Sequence, residues 1–329
     1  KVAAGKTRVF AAAPMDFIIV FRMYFLDFLV YMMENRIFNE SAVGIRAQSD
    51  EWTVLRNKLK IKGNRVVAGD FSNYDGTLHP KILWAVYDVI DGFYDLYGAT
   101  QKEKQVRECL WHNIVNSYHL CGNWFYQLNH SQPSGNPSTA ILNSMYNSIA
   151  CRYTFYTIYS EDTDFNEYVS MIAYGDDNIL NISSRVPDFN QESMAAAFYE
   201  IGMTYTDEMK TGVLADKTLE EVAFLKRGFI YDYSRMFCFA PLSLPSILEA
   251  FNWIKKTDCE PEVLKQIADN ALVELSMHPI DTFLEYAEKI KNVFAKTYNI
   301  HVHVSSYQFY RLKIVAGTIY NSHPTLDWA

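Results

Sequence analysis

Along the chain the apolar residues switch between the 3.6-residue period of a helix and the alternation of a strand, and the switches mark out the elements. Residues 16–35 are apolar over a length that reads as helix. Val66 to Phe71 is a short strand signal carrying Asp70, closed by the polar Ser72, Asn73 and Tyr74. From Pro80 to Tyr97, the residues Ile82, Leu83, Val86, Val89, Ile90 and Phe93 fall at helical spacing, with Pro80 suited to the first turn. Another helix is predicted from Ser138 to about Tyr159, after a Gly/Pro-rich loop over 131–137. Met171 to Tyr174 and Asn178 to Ile182 read as a hairpin whose tip is Gly175, Asp176 and Asp177. Met194 to Ile201 is helical, and Ala223–Phe229 and Met236–Ala240 read as two short strands around Tyr231 to Ser234. From Ser246 onward the pattern is helical, with a further β signal at His301 to Val304. The sum is a mixed α+β region followed by a helical tail.

The longest apolar stretch, Phe17 to Met33, has 17 residues and is broken by Arg22 and Asp27. A membrane span wants about 20 predominantly apolar residues, so a buried helix is expected instead. The 329 residues are 49% hydrophobic and 21% charged, the balance of a folded chain large enough for two or three lobes. Thirty Lys and Arg against 38 Asp and Glu give a net charge of −8, so any nucleic-acid site must be a local basic groove. Five cysteines without a CxxC pair suggest reduced thiols in a cytosolic setting. The chain opens at Lys1 without an initiator Met or a leading apolar region, and is expected to be a piece cut from something longer at its N-terminal side.

Chemistry concentrates at Tyr174, Gly175, Asp176 and Asp177. Adjacent carboxylates on a turn repel unless a proton or cation intervenes, and such hard oxygen ligands suit Mg²⁺. By composition the Gly-Asp-Asp tripeptide arises by chance in roughly one chain in ten of this size, so it carries little alone. Two further acids, Asp70 and Asp75, stand about a hundred residues earlier. Between the two acidic sites a small-residue loop contains Ser134 and Gly135, where a backbone can approach a phosphate or sugar. Thr139 and Asn143, four apart on the helix that follows, are expected to point to one side.

Taken in order, these motifs, with Lys6 to Arg8 before them and Lys210 and Phe224 to Arg227 after them, closely resemble the RNA-dependent RNA polymerases of picorna-like positive-strand RNA viruses. The dicistrovirus-like and marine picorna-like branches look nearest, on Gln132 to Pro137. The resemblance covers about residues 1–235 by motif, with Ser41 to Gly44 a further local match. It implies an α+β right-hand polymerase: fingers over 1–24 and 116–133, palm over 25–115 and 134–235, and a helical thumb over 236–329, the N-terminal fingers being missing. It further implies that Asp70 and Asp176 bind two Mg²⁺ ions, which Mn²⁺ could replace, with Asp177 in support. Asp75 and Asn143 would recognise the ribose 2′-hydroxyl, aided by Ser134, Gly135 and Thr139. Lys1, Lys6 and Arg8 would contact the incoming triphosphate, and Lys210 would protonate the pyrophosphate. Tyr174, Lys226 and Arg227 would hold the RNA primer end. Template and primer RNA and NTPs are the implied partners, with a protein primer and other viral replication proteins, at membrane-associated complexes in the host cytoplasm.

The chain departs from the pattern at Asn178, where a Val is common, and over Asn136 to Ser138, where a smaller Gly-containing run is typical of mammalian picornaviruses. A reverse transcriptase is the rival enzyme, expected to place a bulky aromatic gate where Asp75 and Asn143 stand. A non-catalytic RNA-binding relative is the rival from another class, and the retained acids speak against it. His301 and His303 have no third ligand in spacing and are read as structural.

Overall fold

In the computed structural model the described residues are 10–130, 132–208, 212, 214–253 and 261–317. They fall into two compact units, one of residues 1–44 and 59–217 and the other of 45–58 and 218–329.

The first unit is led by α1 (Met15–Glu34), whose Phe21, Phe25, Phe28, Leu29 and Met32 are buried. Among the described residues no helix is long and apolar enough to cross a membrane. The segment that belongs to the other unit carries α2 (Glu51–Lys58). Next come β1 (Val66–Ser72), α3 (Pro80–Leu96) and α4 (Gln101–Val115). Pro80 occupies the start of α3 as predicted, and a Thr100–Glu103 capping box starts α4. Buried Arg107 of α4 pairs with Asp91 of α3 at 3.1 Å, and Lys104 reaches the same carboxylate.

A two-stranded ribbon, β2 (Tyr118–Cys121) with β3 (Trp124–Gln127), precedes α5 (Thr139–Ile158) and the one-turn α6 (Phe165–Tyr168). The predicted acidic hairpin follows as β4 (Val169–Tyr174) and β5 (Asp177–Ile182), then α7 (Gln191–Glu200) and β6 (Thr204–Asp207). The four long-range strands form one antiparallel sheet in the order β4-β5-β1-β6. The strand bearing Asp70 therefore lies directly against the acidic hairpin. Helices α5 and α7 cover one face, where Phe71 packs edge-on against Phe198 of α7 and against Tyr74 and Tyr205.

The second unit holds β7 (Ile230–Asp232) paired with β8 (Phe237–Phe239), then α8 (Leu244–Glu249), α9 (Pro261–Leu275), α10 (Ile280–Tyr298) and α11 (Tyr307–Val315). Its core joins Leu264, Leu272 and Leu275 of α9 to Phe283, Ile290 and Phe294 of α10.

Two expectations fail here. Ala223–Phe229 is not a strand, because Leu225 (φ 54°) and Lys226 (φ 62°) are both left-handed and fold the chain back so that Phe224 and Arg227 exchange backbone hydrogen bonds. His301 to Val304 is extended but joins no ladder; Ile300 and Val302 insert into the α9–α10 core instead. Both segments are apolar for packing onto helices, which alternation alone cannot distinguish from pairing in a sheet.

Candidate active site

Strand β1 brings its acid to the hairpin by register. Gly69 stands opposite Asn178, and one step further Asp70 and Asp177 share the same end of that ladder. Side chains alternate across a sheet. Asp70 therefore lies on the face opposite Gly69 and Phe71, and Asp177 on the face opposite Asn178, so the two carboxylates share the face turned away from α5 and α7. Asp176 is exposed in the turn between β4 and β5. Gly175 adopts φ +63°, with nothing within 4 Å of where a Cβ would stand. The glycine is thus demanded by backbone handedness and not by crowding.

Helix α5 holds that turn from behind. The Gly175 N–H donates to Ser144 Oγ at 2.8 Å, and Asn147 Nδ2 donates to the carbonyls of Gly175 and Asp176 at 3.1 and 3.2 Å. Directly after β1, Asn73 (φ 52°) turns the chain into a single 3₁₀ turn, Tyr74–Gly76. There Asn143 Nδ2 donates to Asp75 Oδ1 at 3.0 Å, while the Tyr74 hydroxyl donates to the Asn143 main-chain carbonyl at 2.9 Å. Burial raises the Asp75 carboxyl above its ordinary range, with the Asn143 hydrogen bond acting to lower it. The other side-chain atom of Asn143, Oδ1, is buried without a hydrogen-bond partner.

Asp70, Asp176 and Asp177 form a hard oxygen donor set at one sheet end, yet no cluster of three His, Cys, Asp or Glu groups able to hold a metal occurs among the described residues. Carboxylate oxygens are ligands for a hard divalent cation such as Mg²⁺, which takes one or two protein carboxylates and completes its shell with water and substrate phosphates. The residues present therefore suit the metal expected of them.

A family model for viral RNA-dependent RNA polymerase matches residues 1–295. The chain belongs to that family. Replicase polyproteins are among its relatives: that of Acute bee paralysis virus (strain Rothamsted) is 39% identical over 325 residues, 94% of this chain and 17% of the polyprotein. That of Drosophila C virus (strain EB) is 40% identical over 294 residues, 84% of the chain and 17% of the polyprotein. The chain thus spans less than a fifth of the length of these relatives. The solved Sicinivirus 3Dpol RNA dependent RNA polymerase shares the fold, with a TM-score of 0.80 over 97% of this chain and 65% of that one, at 21% identity.

The loop before α5 packs against the protein's own backbone. The Thr139 hydroxyl turns back to donate to the Asn136 carbonyl at 2.8 Å, and Asn143, four residues on along α5, reaches Asp75. The close approach that Gly135 permits is to protein backbone. A Cβ there would sit 2.1 Å from the Ala11 carbonyl oxygen, which accepts the Gly135 N–H at 2.9 Å. Ser134 Oγ in turn accepts the Ala11 N–H at 3.2 Å.

In the second unit Arg227 is committed to the protein. Its guanidinium grips Glu274 through two bonds of 2.8 Å and donates to the Ala240 carbonyl. Neighbouring Lys226 is exposed. Lys1, Lys6, Arg8 and Lys210 lie outside the described residues. His301 and His303 are exposed and join no metal-ligating cluster among the described residues.

Sequence reasoning overlooked Ser144 and Asn147. Their signal was a run of polar residues, Asn143, Ser144, Asn147 and Ser148, inside an otherwise apolar helix. Gly69 and Tyr205 were overlooked as well, although a glycine inside a strand often marks a close approach.

Proposed function

We propose that this chain is the catalytic part of an enzyme that extends an RNA 3′ end from NTPs on an RNA template, replicating a viral RNA genome. The single observation that carries the reading is the meeting of Asp70 with the Asp176–Asp177 turn at one sheet end, in a chain of the viral polymerase family. Two Mg²⁺ ions, replaceable by Mn²⁺, held by Asp70 and Asp176 with Asp177 beside them, supply charge stabilisation for the attacking 3′-oxygen and the departing oxygen. Asp75 and Asn143 recognise the ribose 2′-hydroxyl, the group by which a protein tells RNA from DNA. The orphaned Asn143 Oδ1 is the acceptor such a hydroxyl needs. Lys1, Lys6 and Arg8 bind the triphosphate and Lys210 gives a proton to the pyrophosphate. Tyr174 and Lys226 contact the primer strand, the fingers and palm follow the motifs, and the helical tail over 236–329 is the thumb by its position.

A reverse transcriptase is disfavoured, because the position facing Asp75 is a small amide and not an aromatic gate. A protein primer, other replication proteins and membrane-associated sites in the host cytoplasm complete the proposal. Primer extension on an RNA template tests it. Asp176→Asn keeps the shape of the turn and removes one charge, and is expected to cut Mg²⁺-dependent extension to near background without loss of folding. Near-normal extension by that variant overturns the metal assignment.

A further inference from the structure

A chain of buried polar side chains runs from the far edge of the sheet to the acidic turn. The Tyr205 hydroxyl on β6 donates to Asn178 Oδ1 at 2.7 Å, and Asn178 Nδ2 donates to Asn147 Oδ1 at 2.9 Å. Asn147 Nδ2 then donates to the carbonyls of Gly175 and Asp176. All three side chains are 4% exposed or less. Every link donates in the same direction, an arrangement in which successive bonds polarise and strengthen one another. To reach Asn178, the Tyr205 ring crosses over β1 at Gly69. A Cβ on Gly69 would lie 2.0–2.2 Å from two ring carbons and the hydroxyl oxygen of Tyr205. The strand that presents Asp70 thus gives up a side chain one residue earlier to let the tyrosine through.

Neither Tyr205 nor Asn178 can touch a bound nucleotide or ion, since both lie on the helix-covered face, opposite the carboxylates. We infer that Tyr205, Asn178 and Asn147 form a positioning relay that fixes the carbonyls of the Gly175–Asp176 turn and so sets the aim of the metal-binding carboxylates. The inference rests on the metal reading given above. Asn178 is also where the chain departs from the pattern it resembles, and the relay supplies its physical reason: an apolar side chain there would leave the Tyr205 hydroxyl buried without a partner and Asn147 Oδ1 with only the weak Cys151 thiol donor at 3.5 Å. Burial holds the Tyr205 phenol well above its ordinary range, so it remains a donor at any working pH.

The test uses the full-length polymerase containing this chain and measures Mn²⁺ binding by electron paramagnetic resonance without nucleotide, alongside thermal melting. Groups that orient metal ligands typically contribute about 10–100-fold to metal affinity or activity. Tyr205→Phe, which deletes only the hydroxyl, is expected to weaken Mn²⁺ binding within that range and to raise the Mg²⁺ concentration needed for half-maximal extension. Asn147→Ala should do the same, and the double variant should bind no worse than Asn147→Ala alone, because a relay already cut has nothing more to lose. Should Tyr205→Phe not fold, Asn178→Val cuts the relay in a residue of similar size, removing the link to Tyr205 and the link to Asn147. Mn²⁺ binding within twofold of wild type in Tyr205→Phe, or strictly additive losses, overturns the relay. Asp176→Asn separates the two levels. If it loses Mn²⁺ while Tyr205→Phe binds normally, only the relay falls; if Asp176→Asn itself binds normally, the metal reading falls and takes the relay with it.

Discussion

Replacing Asn143 by Ala removes two things at once: the Nδ2 donor that holds Asp75 at 3.0 Å and the orphaned Oδ1 acceptor. It leaves the helix docked, because Tyr74 bonds the main-chain carbonyl of residue 143 and not its side chain. A hydrogen bond involving a charged group contributes about 1.5–3 kcal/mol, and each 1.4 kcal/mol is about tenfold. Use of a ribonucleotide should therefore fall about 10- to 150-fold, while a deoxynucleotide, which has no hydroxyl to lose, falls far less. The ceiling for sites built around a hydroxyl is about 10⁴–10⁵ in discrimination, so the wild-type ratio has room to drop.

Rapid-quench incorporation of matched ribo- and deoxynucleotides over a range of concentrations gives the two efficiencies directly. The pH profile adds an independent reading. Burial already raises the Asp75 carboxyl, so wild-type discrimination should begin to fall with decreasing pH while an ordinary aspartate, with a pKa of about 3.9, is still ionised. Asn143→Ala removes the bond that holds this pKa down, and should move that fall to higher pH. Equal losses for the two sugars, with an unmoved pH profile, would show that the pair serves only to dock α5 against the 3₁₀ turn.

Other outcomes follow from the same geometry. Asp91→Asn leaves Arg107, 2% exposed, without its charge partner, and breaking a buried pair costs about 3–5 kcal/mol, read as lower stability in denaturant unfolding. Burial pushes the Asp91 carboxyl up, but Lys104 and Arg107 bring it below its ordinary value. Its stabilisation is therefore full above about pH 4, and the gap between wild type and variant should close as pH falls through the depressed folded-state value. Lys226→Ala should reduce the slope of log RNA affinity against log salt by about 0.7–0.9, whereas Arg227→Ala should leave the slope and lower the melting temperature, since its charge is spent on Glu274. A slope that falls only with Arg227→Ala refutes that division. Lys210→Leu should slow single-nucleotide addition at saturating NTP by about 10²–10⁴-fold, and an unchanged rate would mean that the proton comes from elsewhere.

Much of the local structure is legible because its causes sit within a few residues of their effects. Pro80 and the spacing from Ile82 to Phe93 specify α3, and the left-handed Gly175 specifies the turn that presents Asp176. The ribbon of β2 and β3 escaped notice because its strands are apolar on both faces and exposed, so no alternation marks them. Strand β6 escaped because Thr204 to Asp207 is mostly polar and only its place beside β1 makes it a strand.

Adjacent Lys226 and Arg227 look alike in sequence, yet one is exposed and the other is locked to Glu274, 47 residues on. Gly135 reads as a flexible loop residue, although what demands it is the carbonyl of Ala11. Gly69 reads as a weak point in a strand, and only the path of Tyr205 across it gives the reason. The sequence by itself determined which backbone conformations are cheap and the order in which the acidic, amide and basic residues come, and that was enough to name the family. The tertiary structure decided which of those groups face each other, because hydrogen bonds, ion pairs and steric limits depend on distance in space, and the partners here lie tens to more than a hundred residues apart along the chain.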